Sequence, residues 1–245
     1  MDRLLYGDVG FGKTEVALRA AMIAINSGKV VFFLSPTTVL SDQHFITSKN
    51  RLEHLGVNIE LLSRFKSKKE QIKILNDLSN NKIDLVIGTH RLLSDDVPVE
   101  NLGLLIVDEE HKFGVKHKNK IQHLKKHTDI LTLTATPIPR TLQQSLVGIR
   151  DTSRITTPPL NKLPIKTYIK RFDWGWIKDS IEKETSRGGQ VYFLHNDIKN
   201  LNKIKESLSD FFPNLNIQIG NGQMHSKDLE KIILEFFEGK IDVLV

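Results

Sequence analysis

The sequence predicts an α/β protein built on a mainly parallel sheet with helices against it, and three observations carry that prediction. Short apolar and β-branched runs alternate with longer amphipathic segments along the whole chain, the pattern of repeated βα units. The first run leads into Gly7-Asp8-Val9-Gly10-Phe11-Gly12-Lys13-Thr14, which fits G-x-x-x-x-G-K-[ST] at every position. A later run, Leu104-Leu105-Ile106-Val107, delivers Asp108 and Glu109 at its carboxyl end, the edge where open α/β sheets bind ligands.

Taken in order, strands are predicted at 4–6, 30–34, 58–62, 84–88, 104–107, 130–133, 166–171, 190–194, 216–219 and 242–245. Val30-Val31-Phe32-Phe33-Leu34 is apolar at every position, as a strand covered on both faces must be. Helices are predicted at 14–27, 39–55, 68–80, 116–125, 174–187, 198–212 and 226–238, with stop signals at Gly28, Gly56, Gly188-Gly189 and Gly239. Periodicity breaks between Arg150 and Pro164, where Thr156-Thr157-Pro158-Pro159 suits neither element. The expected organisation is therefore a doubly wound domain at 1–150, a linker at 151–165, and the first part of a second domain at 166–245, which stops within a strand and is expected to be truncated.

At 245 residues the chain can bury one large or two modest cores, and 39% hydrophobic with 26% charged residues suits an ordinary globular protein. Its apolar runs are far shorter than the roughly 20 residues of a spanning helix, so no membrane partner is expected. Zero cysteines exclude disulfides and thiolate metal sites, and with no leader segment ahead of the glycine-rich loop the cytoplasm is the expected compartment. Lys and Arg number 35 against 29 acids, and the resulting charge of +6 favours a polyanionic partner without requiring one.

The glycine-rich segment carries the first chemistry. Its outer glycines allow a turn tight enough for successive backbone N–H groups to face phosphate oxygens, and the helix that follows adds its positive end. Lys13 is expected to reach the β- and γ-phosphates of ATP, and Thr14 to offer its hydroxyl to Mg²⁺. Asp108 is expected to hold the same Mg²⁺, and Glu109 to orient or deprotonate the water that attacks the γ-phosphate. Thr134-Ala135-Thr136, closing another apolar strand, is suited to sensing the γ-phosphate. The histidines 117, 123 and 127 read as a solvated basic helix, and Trp174 and Trp176 as anchors of a helix on its sheet.

The order phosphate loop, Pro36-Thr37-Thr38, Gly88-Thr89-His90, Asp108-Glu109-Glu110-His111, Thr134-Ala135-Thr136 matches the motif series of superfamily 2 helicases and translocases. Met1-Asp2-Arg3-Leu4, Gly10-Phe11-Gly12, Ser63-Arg64-Phe65, Phe113-Gly114-Val115 and Gly148-Ile149-Arg150-Asp151 narrow the resemblance to the motor of bacterial transcription-repair coupling factors. RecG-type branch-migration helicases share Phe113-Gly114-Val115 and Ile138-Pro139-Arg140-Thr141, whereas Gly10-Phe11-Gly12, Ser63-Arg64-Phe65 and Gly148-Ile149-Arg150-Asp151 favour the coupling factor.

This resemblance implies two RecA-like domains of a P-loop NTPase that uses ATP and Mg²⁺ to move along double-stranded DNA. RNA polymerase and excision-repair proteins would be reached through domains outside this chain. It implies nucleotide chemistry at Lys13, Thr14, Asp108 and Glu109, with His111, Thr134, Ala135, Thr136 and Arg140 coupling it to movement. Contacts to the DNA backbone are implied at Pro36, Thr37, Thr38, Ser63, Arg64, Thr89, His90 and Arg91, and in the second domain at His195, Asn196 and Gln223. Asn221 departs from the histidine that commonly precedes Gly-Gln-Met in these proteins.

The family's last two motifs, with the arginines that reach the γ-phosphate, fall beyond Val245. An arginine finger is worth roughly 10³ to 10⁵ in rate, so this chain by itself is expected to bind nucleotide better than it hydrolyses it. The competing readings are a RecG-like remodeller of branched DNA and, from a different class, a P-loop module that binds nucleotide without moving on DNA. A metabolic kinase would share the phosphate loop but lack the Asp108-Glu109-Glu110-His111 and Thr134-Ala135-Thr136 pair.

Overall fold

A computed structural model describes residues 1–63, 66–135, 150–160 and 165–245. The chain divides into two units, Met1–Pro164 and Ile165–Val245. The first unit runs β1 (Asp2–Tyr6), α1 (Lys13–Asn26), β2 (Val30–Leu34), α2 (Thr38–Leu52), β3 (Ile59–Leu62), α3 (Lys68–Ser79), β4 (Leu85–Gly88), β5 (Leu102–Asp108), α4 (Val115–Leu124), β6 (Asp129–Thr134) and β7 (Asp151–Arg154). Its sheet has the order β3-β4-β2-β5-β6-β1-β7, and every described pairing is parallel.

The apolar run of β2 explains why helices cover both faces. Val30, Phe32 and Leu34 point to one side, where Ile74 and Leu78 of α3 and Ile121 of α4 pack. Val31 and Phe33 point to the other, against Ala17, Leu18 and Ala21 of α1 and Leu52 of α2. Successive strand side chains alternate in direction, so a strand buried on both faces needs an apolar residue at each position. Local caps agree with the packing: Thr37 Oγ1 accepts from Leu40 N–H at the start of α2, and Ser67 with Glu70 forms a reciprocal capping box on α3.

Two expectations are corrected. Residues 151–154, assigned to the linker, form β7 and pair with β1 in the register Arg3↔Asp151. Arg3 secures this polar edge by donating to Ser153 Oγ at 2.8 Å and to Asp151 Oδ2 at 3.1 Å. Residues 166–171 do not form a strand. Alternation of apolar residues there supplies a face but no hydrogen-bonding partner, and a strand needs both.

The second unit contains α5 (Trp174–Thr185), β8 (Val191–Tyr192), α6 (Leu201–Phe211), β9 (Ile217–Gln218), α7 (Ser226–Phe237) and β10 (Val243–Leu244). Its parallel sheet is ordered β8-β10-β9. Trp174 anchors α5, stacking with Phe193 at 6.3 Å between ring centroids and tilting against Phe211 at 5.8 Å.

Gly88, the last residue of β4, cannot be larger. A Cβ there would lie 2.4 Å from the Leu62 carbonyl oxygen and 3.0 Å from Leu92 Cγ. Gly88→Ala is expected to cost about 1 to 3 kcal/mol through overpacking, read as a lower urea midpoint at unchanged m-value.

Candidate functional site

The phosphate loop lies between the carboxyl end of β1 and the start of α1. Gly10 and Gly12 take φ of 75° and 84°, left-handed conformations that a glycine adopts without strain. Phe11 N–H donates to Asp8 O at 3.2 Å, and Glu15 N–H to Gly12 O at 3.0 Å, which close the turn and begin the helix. Lys13 Nζ donates to the carbonyls of Gly7 at 2.6 Å and Asp8 at 2.9 Å. The ammonium is thus held at the loop itself. Gly7 N–H donates to Thr134 O at 3.3 Å, tying the loop to the end of β6.

The acids stand one strand further along. Asp108 closes β5, and His44 Nε2 on α2 lies 3.0 Å from its Oδ2, with the two side chains only 11% and 14% exposed. Glu109 has φ 49°, a left-handed conformation uncommon for a residue with a Cβ. That turn carries Glu109 away from the strand line. Its N–H donates to Leu133 O at 3.0 Å, its Oε1 accepts from Ala135 N–H at 3.1 Å, and its Oε2 lies 3.3 Å from His111 Nδ1. Backbone strain of this kind costs on the order of 1 to 3 kcal/mol and collects at functional sites.

Behind them sits a charge network that linear reading missed. Arg150 Nη1 donates to Glu110 Oε2 at 3.0 Å, Nη2 donates to Thr132 Oγ1, and Nε faces Asp2 Oδ1 at 2.6 Å. Lys125 Nζ reaches Asp2 Oδ2 at 2.8 Å. Two cations thereby serve two carboxylates at the base of the acidic turn, with Arg150 only 12% exposed. Charges so withdrawn from water are tolerable because each faces an opposite one.

The expected DNA-facing residues follow β2, β3 and β4 on the other half of the same sheet edge. Thr37 and His90 are exposed, whereas Thr38, Ser63 and Thr89 are buried. Each of these three sits at the root of its turn, where polar groups serve the turn. Ser63, for example, accepts Gln71 Nε2 at its carbonyl at 3.4 Å. Arg91 is paired bidentately with Asp96 at 2.7 and 2.6 Å and also reaches Gln71. The guanidinium beside Asp96 holds that carboxyl below the usual aspartate range.

In the second unit His195 and Asn196 follow β8, and Gln223 follows β9 in a turn closed by its N–H to Asn221 Oδ1 at 3.0 Å. All three are exposed. Arg64, Thr136 and Arg140 lie outside the described residues.

A family model described as DEAD/DEAH box helicase matches residues 1–145. The chain belongs to the DEAD/DEAH box helicase family. This helicase-family chain is 51% identical over 245 residues to the transcription-repair-coupling factor of Bacillus subtilis (strain 168) and 50% identical to that of Escherichia coli (strain K12). It spans 21% of the length of each. Among solved structures, RecG bound to a three-way DNA junction matches with a TM-score of 0.80 at 32% identity, over 100% of this chain and 33% of that one. The resemblance drawn from the motifs is borne out, and so is the RecA-like helicase fold with its parallel sheet flanked by helices. Among the described residues, no helix of this family member is long and apolar enough to cross a membrane.

Proposed function

We propose that this chain is motor sequence of an ATP-dependent double-stranded DNA translocase of the coupling-factor type. The observation that carries the proposal is the partition of one sheet edge. The phosphate loop, Glu109 and Thr134-Ala135 follow the adjacent strands β1, β5 and β6, while the candidate DNA turns follow β2, β3 and β4. Asp108 stands at the junction, because β5 pairs with both β2 and β6. A machine that converts hydrolysis into movement needs its two ligands at one edge with a shared boundary.

In this reading Lys13 exchanges its two loop carbonyls for phosphate oxygens, and the left-handed Gly10 and Gly12 let backbone N–H groups face the same anion. The Thr14 hydroxyl and the Asp108 carboxylate are hard oxygen donors that fit Mg²⁺, which usually takes one or two protein oxygens and completes its shell with phosphates and water. Bound there, Mg²⁺ would neutralise charge on the β- and γ-phosphates. Glu109 orients the attacking water and accepts its proton. The Ala135 N–H that holds Glu109 Oε1 makes the position of that base depend on the end of β6.

The polymerase and repair partners implied for coupling factors would be met outside this chain, in the cytoplasm. The 32% identity to RecG supports a second reading, a remodeller of branched DNA. The test is ATP hydrolysis with and without DNA, by this chain and by the chain extended with the region that follows it in coupling factors. The expected result is stimulation by linear duplex in the extended chain; stimulation by three-way junctions alone would favour the RecG reading, and none by any DNA would overturn both. Duplex affinity should also fall linearly on logarithmic axes as salt rises and ignore sequence, since backbone contacts release counterions without reading bases. Filter binding at 50 and 200 mM salt on two unrelated duplexes checks this.

A further inference from the structure

His44 is the one buried histidine facing an acid of the site among the described residues, and the nucleotide chemistry above gives it no role. It lies on α2, well inside the helix that begins after Pro36-Thr37. Its Nε2 is 3.0 Å from Asp108 Oδ2, and its ring packs on Phe33 of β2 with centroids 4.4 Å apart. A carboxylate only accepts hydrogen bonds, so Nε2 must carry the proton and donate. The ring is fixed by Phe33 on one side, and one Asp108 oxygen is fixed by the ring.

We propose that His44 is a positioning residue that sets the orientation of the Asp108 carboxylate toward Mg²⁺. This rests on the reading that Asp108 holds the ion. Donors behind a metal-binding carboxylate fix its rotamer and leave its other oxygen for the ion, and their loss typically costs 10- to 100-fold in metal affinity or activity. The bland alternative is a histidine that merely fills space on Phe33. The two readings separate because packing needs the ring, whereas positioning needs the N–H.

The experiment titrates Mg²⁺ against a fluorescent ATP analogue bound to this chain, and reads the Mg²⁺ concentration that gives half of the maximal signal. Thermal melting of each variant reports the fold. His44→Phe keeps a ring on Phe33 but has no donor, and is expected to raise that concentration about tenfold at a wild-type melting temperature. His44→Gln places an amide N–H where Nε2 stood and is expected to stay within about threefold of wild type. Should His44→Phe fail to fold, His44→Gln is compared with His44→Asn, whose amide stands nearer the Nδ1 position; only the former should retain the wild-type requirement. An unchanged Mg²⁺ requirement in a folded donorless variant overturns the proposal. So does an equal loss in the Gln and donorless variants, which would assign His44 to packing. Absence of nucleotide binding by the wild-type chain at any Mg²⁺ concentration would instead overturn the motor reading, and the His44 proposal with it.

Discussion

Lys13→Ala is expected to weaken ATP binding by about a hundredfold, because hydrogen bonds from a charged donor are worth about 1.5 to 3 kcal/mol each and tenfold in affinity is about 1.4 kcal/mol. The fold should be untouched. Lys13 Nζ donates to the Gly7 and Asp8 carbonyls at a surface turn, where water can replace it. The core that holds the sheet runs through Val31, Phe33 and Ile106 and does not include this side chain. Titration of a fluorescent nucleotide beside a urea melt makes the check. Wild-type affinity in a folded variant would remove Lys13 from the phosphate site, and a collapse of stability beyond about 0.5 kcal/mol would mean that the loop is structural.

Glu109→Gln is expected to divide the two steps that Lys13→Ala merges. The amide has the shape of the acid, and its oxygen can still accept from Ala135 N–H, so the strained left-handed turn at φ 49° should persist. Nucleotide affinity is then expected within about threefold of wild type, while turnover by the DNA-stimulated, extended chain falls by about 10² to 10⁴, the usual contribution of a positioned general base. Single-turnover hydrolysis with bound ATP separates this from slow product release. Loss of binding and hydrolysis together would show that Glu109 holds the turn and not the water.

What could be foreseen depended on how far apart the partners lie in the chain. The phosphate loop is a local spacing rule, and Gly7 to Thr14 obey it without help from the rest of the molecule. The apolar runs of β2 and β5 announce strands covered on both faces, and both were foreseeable. β7 was not, since Asp151-Thr152-Ser153-Arg154 has no apolar face and becomes a strand only because β1 offers an edge and Arg3 two hydrogen bonds. His44 and Arg150 were also invisible as site residues. Nothing near His44 in sequence signals an acid 64 residues away, and Arg150 reaches across 40 residues to Glu110. The burial of Thr38, Ser63 and Thr89 was equally out of reach, because a motif states which residues meet at a turn and not which of them faces outward.

The strand order also sets a timetable for synthesis. β2, β3, β4 and β5 are mutual neighbours drawn from residues 30 to 108, so they can pair while the chain is still growing. β1 comes earlier but must wait, since Arg3 pairs with Leu131 on one side and Asp151 on the other. At about 5 to 20 residues per second, β1 remains an unpaired apolar strand for on the order of 10 s after it is made. The half of the sheet that carries the proposed DNA turns can therefore exist before the half that carries the phosphate loop, and a nascent chain cannot fasten that loop until β6 has emerged, nor cover the outer side of β1 until the polar edge strand at 151–154 follows. Such late, long-range pairings are slow to form and leave an edge open to wrong partners. Polar substitutions far from any ligand, at Arg3 or Ser153, are for that reason where yield on expression should be lost first.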